Sequence, residues 1–352
     1  MKRTILMNSK GTITVMVAGC LTALIGLSAL AIDGGFAFIT RNQLQNIGDA
    51  AALAGGRKLG KIYEGLSQSA QQTYTLNSTD RAAIITYMNA VAMQNTAGGI
   101  AIPISDDSNV VQIGHWNGTT FTATSSHPDA VHVTARRDSI ANGSLSTLLA
   151  GIIGVSQLSV SASSTAAMTA LNNLGAGKLD CPVGVPKSYA GSGGQCTNLV
   201  FSGTGQCAYW HTYKDSPAST NALIGLLDDG KNKGVPNLKA GTYPIPAVKV
   251  GVDQFYITNG ALSAAFNDFV NLYNSKKDAQ GKWNTWIVIL DIQPCNGLSG
   301  ATSIYGFTPA TITGVDAGSK TVNGTVNCNT VQSGAGSGGQ FGALGSVPSL
   351  VE

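Results

Sequence analysis

Four histidines, a few acidic pairs and six cysteines are the residues of this 352-residue chain whose types could do chemistry. His115, His127, His132 and His211 would bind a metal or move a proton only if the fold brought them together. His115 and His132 fall in β-prone runs and are the two best placed to meet, although isolated strand histidines more often pack or face water. Asp106-Asp107 reads as a solvated turn. Residues 225–232, GLLDDGKN, have the skeleton of a phosphate-binding loop. Asn232, however, stands where Ser or Thr should hold magnesium, and Asp228-Asp229 would repel phosphate. A helix ending at Gly230 is the simpler reading. Gly334, Gly336 and Gly339 match a dinucleotide pattern only because their surroundings are full of glycine. No GxSxG elbow occurs. None of this makes a nucleophile–base pair. The expectation is a chain that is not an enzyme, with no catalytic residue, metal, cofactor or small-molecule substrate.

The cysteines point to a compartment instead. Cys20 lies in a long apolar run, whereas Cys181, Cys196, Cys207, Cys295 and Cys328 cluster in the second half. In an exported chain such clustering suggests disulfides, and an odd five leaves one thiol free or paired between chains. Zinc is the rival, but no CxxC pair exists to hold it. A bridge such as Cys181–Cys196, closing a loop of about fifteen residues, would contribute about 3 kcal/mol. Composition agrees with export. Charged residues make up 11% and glycine 44 of 352, so solubility rests on neutral polar groups. A net charge of +3, concentrated near the N-terminus, does not argue for nucleic acid.

Residues 13–32, ITVMVAGCLTALIGLSALAI, are uncharged and match the ~20 residues a helix needs to cross a bilayer. Lys2, Arg3 and Lys10 precede them and Asp33 follows. That asymmetry places the N-terminus in the cytoplasm and the bulk of the chain beyond the membrane. Three processing signals compete with an uncleaved single-pass anchor. Ala29-Leu30-Ala31 fits a signal peptidase site, though the apolar run exceeds a normal signal core. Val17-Ala18-Gly19-Cys20 looks like a lipoprotein box, but twelve more uncharged residues follow it. Lys10-Gly11 looks like a prepilin cleavage site, yet Met16 stands where the fifth mature residue should be Glu.

The fold expected is α+β: one N-terminal transmembrane helix with a helical extension, an α+β domain, and a β-rich, disulfide-containing C-terminal region. The boundaries fall at 1–60, 61–175 and 176–352. In the extension, Leu44, Ile47, Ala51 and Ala54 form an apolar stripe, Gly34-Gly35 loosens the helix, and Gly55-Gly56 ends it. Residues 80–97 predict a helix capped by Asp80, with Ile84, Tyr87, Met88 and Val91 on one face. Residues 109–124 predict a hairpin with a type I′ turn at Asn117-Gly118. Residues 130–136 and 157–169 predict strands, and 144–153 a helix capped by Ser144. Beyond the boundary, 219–228 and 261–275 predict helices. WIVIL (286–290) predicts a buried strand, and KTVNGTV (320–326) a second Asn-Gly hairpin. Residues 333–345 look like a linker or loop, after which Val347, Leu350 and Val351 could dock.

One stretch carries more than periodicity. An anchor of the form KG, apolar run and AIDGG is followed by RNQLQNIGDAAALAGG at 41–56. Further on come QIGHWNGTTF, AVHVTARRDS, LSTLLAGIIGV and LSVSASSTAAM. This order resembles the TadG-like (TadE/TadG) family, associated with assembly of Flp (Tad) pili. Leu44, Gln45, Asp49, Ala50, Ala51 and Ala52 match its motif, and Asp33 its AxD position. WIVILDIQPC and YGFTPATITGV look similar to its C-terminal region. The resemblance implies a non-catalytic, membrane-anchored component of pilus assembly in the bacterial inner membrane, with its soluble part in the periplasm or at the cell surface. Its partners would be other assembly or pilin proteins. The alternatives are a processed minor pilin or pseudopilin, or an exported surface-binding protein. The small-residue stripe is expected to dock a helix, with Asp49 fixing register by bonding a partner's donor. Without a DxSxS motif, no metal-dependent adhesive site is expected.

Overall fold

The computed structural model describes residues 9–189, 208–228, 234–258, 262–293, 299–327, 330–339 and 341–352. Helix α1 (Ser9–Glu64) runs unbroken for 56 residues, about 84 Å at the usual rise. Neither glycine pair interrupts it, contrary to the sequence expectation. Gly55 and Gly56 are instead points of close approach. A Cβ on Gly55 would lie 2.7 Å from the Met88 sulfur, and one on Gly56 would lie 2.9 Å from Pro348 Cβ. The packing those glycines admit outweighs their poor helix propensity.

After the short helix α2 (Gln68–Gln72), α3 spans Ser78–Ala92. Its cap is Asn77 rather than Asp80, with the Asn77 side chain accepting the Asp80 N–H. Ile84, Ile85, Met88 and Ala92 face inward, while Tyr87 stands exposed and is not part of the buried face.

Four strands then build the first sheet: β1 (Val111–Trp116), β2 (Phe121–Ala123), β3 (Ala130–Arg137) and β4 (Val160–Ala167). The order is terminal strand, β4, β3, β1, β2, all antiparallel, where the terminal strand is Ser349–Leu350. The β1–β2 hairpin is present, but Trp116 pairs with Phe121 across a four-residue loop rather than a two-residue turn. Alternation on β3 turns Val131, Val133 and Ala135 to a core shared with Leu44–Tyr63 of α1 and with α3.

The helix expected at 144–153 is absent. Leu145 pairs with Leu158 and Ser146 with Gln157, and a single 3₁₀ turn (Ala150–Ile153) lies between them. Gly154, at φ 92°, ends the turn in a left-handed conformation that suits glycine. The segment has no core to bury an apolar face against, and residues 151–157 are all exposed.

The second region has its own core, with Trp210, Phe255, Phe266, Phe269 and Phe307 fully buried. Its strands are β5 (Val183–Pro186), β6 (Tyr209–His211), β7 (Gln254–Thr258), β8 (Trp283–Leu290), β9 (Gly300–Asp316) and β10 (Thr321–Val326). They pair in the order β7-β6-β5-β8-β9-β10, and β7 also pairs with β9. Five strands thus close into a ring, which leaves little free edge. Helices α4 (Thr220–Leu227, capped by Ser219) and α5 (Ser263–Lys276) pack together beside it.

The buried strand expected at 286–290 is the heart of β8. Asn323-Gly324 is not a turn but lies within β10, and the chain reverses at 317–320. A Cβ on Gly324 would sit 2.6 Å from Thr311 O on β9, so the residue serves strand approach rather than reversal. Residues 333–345 are not a loose linker. Val331–Ala335 and Leu344–Val347 pair in parallel, and a side chain on Gly338 or Gly342 would overlap the carbonyl of Leu171 or Phe307. The apolar C-terminal residues do dock, with Ser349–Leu350 on β4.

Candidate functional site

The family-like residues of α1 converge on one surface, the face of the first sheet. Leu44, Ile47, Ala51 and Ala52 are fully buried there, and Ala50 is half-buried. Beside that stripe runs a second row that periodicity of apolar residues did not reveal: Gly48, Ala52, Gly56 and Gly60, each one turn apart. A Cβ on Gly48 would meet Ser164 Oγ at 2.9 Å, and one on Gly60 would meet Ser346 O at 2.5 Å. The row lets backbone lie on backbone, and on β4 the facing residues are the equally small Ala162, Ser164 and Ala166. Four-residue spacing of Gly and Ala was the signal in the sequence that could have disclosed it.

Asp49 sits at the edge of this contact. Its Oδ1 accepts from Gln45 Nε2 at 2.8 Å and from Ser164 Oγ at 2.5 Å. Gln45 Nε2 also reaches Ser164 Oγ and the Ser163 carbonyl. The donor that Asp49 was expected to find on a partner is thus supplied by the chain's own β4. The stripe likewise has an intramolecular seat. Farther along, Gln43 Oε1 accepts the Gly98 N–H, and Arg57 Nη1 donates to the Ser346 carbonyl and hydroxyl.

Asp33 does something different. Its carboxylate accepts the backbone N–H groups of Leu148 (2.8 Å), Leu149 (3.0 Å) and Ala150 (2.6 Å). The side chain clamps the 3₁₀ loop to the helix where the uncharged run ends.

The remaining chemical residues stay apart. His115 Nδ1 lies 2.7 Å from Asp129 Oδ2, which raises the imidazole's pKa. His132 bonds Thr165, and burial lowers its pKa. The two histidines do not meet. His127 contacts Ser126 and the Gln72 carbonyl. His211 is wholly enclosed, and burial pushes its pKa down to about 3, so it stays neutral. Among the described residues no three metal-ligating side chains cluster. Cys181 is a free, fully buried thiol, and burial drives its pKa up. Cys196, Cys207, Cys295 and Cys328 lie outside the described residues, as do Gly230, Lys231 and Asn232.

What this arrangement provides is a rigid rod with a head built onto its distal half. From Ile13 to Ile39 the large apolar side chains of α1 stand open, including Leu24, Leu30, Phe36 and Phe38. The helix is long and apolar enough in this part to cross a membrane. Residues 11–58 match the family described as Flp pilus-assembly TadE/G-like, and residues 54–166 match Tad-like Flp pilus-assembly. The seam between the two matches falls inside the helix, at the Gly55-Gly56 contact with α3 and the terminal segment. No curated protein and no solved structure matches the chain. Over residues 11–166 the chain is thus similar to the TadE/G-like and Tad-like families of Flp pilus-assembly proteins.

Proposed function

We propose that this protein is a non-catalytic, membrane-anchored component of Flp pilus assembly, acting through protein–protein contacts of a head outside the cytoplasm. The observation that carries this reading is the undivided helix α1. Its first half has only apolar surface to offer, and its second half is core. A head joined this way cannot pivot freely on a linker, so whatever it contacts is met at a fixed height and angle to the bilayer. The positive residues at 2, 3 and 10 favour a cytoplasmic N-terminus in the inner membrane, with the bulk of the chain in the periplasm or at the surface.

A processed filament subunit is the second reading, because a protruding apolar helix can equally pack among copies of itself in a fibre core. Lys10-Gly11 gives that reading a cleavage site. N-terminal sequencing and intact mass separate the two, taken from membranes and from sheared surface material. A chain in membranes that keeps residues 1–11 is expected. A chain in the sheared fraction that starts at Thr12 would overturn the anchor and make the protein part of the fibre.

A further inference from the structure

The loop at 147–156, TLLAGIIGVS, is an apolar projection placed where α1 leaves its uncharged stretch. Leu148, Ile152, Ile153 and Val155 are 72%, 68%, 54% and 43% exposed. No charged residue or histidine occurs from 139 to 177. An isolated exposed leucine needs no explanation, but four together on one uncharged turn do.

Its position is fixed by Asp33, which binds three successive peptide N–H groups of the loop. One turn earlier on the same helix face, Ala29 is only 2% exposed, while Leu27 and Leu30 beside it are 65% and 74% exposed. The 3₁₀ turn contacts α1. The loop therefore lies along the helix face that carries Ala29 and Asp33, level with the last turns of the apolar run. On α1 itself, Phe36, Phe38 and Ile39 continue the open apolar surface for less than two further turns, before Arg41.

The loop's backbone is also suited to a place without water. Thr147 N donates to Ser156 O and Val155 N to Ala150 O, Thr147 Oγ1 donates to Val155 O, and Asp33 accepts three N–H groups. Peptide groups satisfied within the protein can enter a low-polarity layer at little cost, and unsatisfied ones cannot.

We propose that the 147–156 loop is a second membrane contact, its apolar tip seated in the headgroup–acyl boundary of the bilayer that α1 crosses. It rests on the anchor reading. The occupant is lipid because the patch is continuous with the lipid-facing surface of α1 and carries nothing polar for a protein to recognise. Two contacts, one through the bilayer and one on it, hold the head against both tilt and rotation.

The test uses the full chain in vesicles containing brominated lipids, with one added tryptophan per variant read against the native emission. Val17→Trp probes the helix, Ile152→Trp and Leu148→Trp the loop, and Val252→Trp an equally exposed apolar site of the second region. The Ile152→Trp and Leu148→Trp additions should emit blue-shifted and lose about half their intensity to bromines near the headgroup, as for side chains seated about 5–10 Å deep. Val17→Trp should respond to bromines deep in the acyl chains, and Val252→Trp to neither. A quenched Val17→Trp with water-like, unquenched loop tryptophans overturns the loop proposal and leaves the patch to a protein partner. An unquenched Val17→Trp overturns the anchor and the loop together.

Discussion

Two halves of one helix use glycine in opposite ways. At Gly19, Gly26, Gly34 and Gly35 nothing lies within 4 Å of where a Cβ would sit. At Gly48, Gly55, Gly56 and Gly60 something lies within 3 Å every time. The first set costs helix propensity and gains no protein contact, as a lipid-facing or fibre-facing surface can tolerate. The second set sets the distance between helix and sheet. The same residue type thus marks an open surface before Thr40 and a closed one after it, and α1 passes from one environment to the other without a break.

The widest gap between the halves should come from leucine. Leu44→Ala, at a fully buried site, should destabilise the head by about 2–5 kcal/mol. Leu24→Ala, in the exposed half, should leave the head within about 0.5 kcal/mol. Denaturant unfolding of the full chain in detergent, read by tryptophan emission, would erase the distinction if both values came out alike.

Gly60→Ala against Gly34→Ala is the next contrast. The first forces a methyl against Ser346 backbone and should cost about 1–3 kcal/mol. The second meets nothing and should stabilise the helix by about 0.5–1 kcal/mol. The two shifts in midpoint must differ in sign.

Asp49→Ala should cost about 1–2 kcal/mol by leaving the Ser164 hydroxyl without its acceptor and taking one of three from Gln45. Asp49→Asn, which keeps an acceptor oxygen, should recover part of it. An equal loss in both would mean that charge, not the bond to β4, is what matters there.

The smallest effect concerns the junction. In Asp33→Asn, which offers one acceptor oxygen in place of two, hydrogen exchange at Leu148–Ala150 should be faster than in the native chain. Equal rates would mean that these three bonds do not hold the loop.

Alternation and turn chemistry made the first sheet legible: β1, β3 and β4 fall where apolar period-two runs predict them, and β8 follows from WIVIL. The signature at 41–56 was legible as a motif, while its target was not, because a small-residue face fits a partner's helix and the chain's own sheet equally well. Glycine caused two misreadings. Gly55-Gly56 resembles a helix stop and Asn323-Gly324 a turn, and in each case the missing Cβ makes room for a neighbour distant in sequence. LSTLLAGII has helical composition, but a short helix needs a surface to bury against, and Asp33 takes the N–H groups that would have started one. An even count of cysteines remains once the buried Cys181 is set aside. The odd number beyond the apolar run therefore need not imply a bridge between chains.

The pairing of Ser349–Leu350 with Ala166–Ala167 has a consequence in time. The outer edge of β4 meets its last neighbour only after some 180 further residues have been made. Until then an unpaired edge lies open, at the stage when chains are most exposed to wrong strand partners. Contacts of such long sequence separation also form slowly. Completion of this sheet should therefore wait on the arrival of Ser349 and Leu350, and a chain stalled or cut short before them would display a sheet ready to pair with its neighbour's.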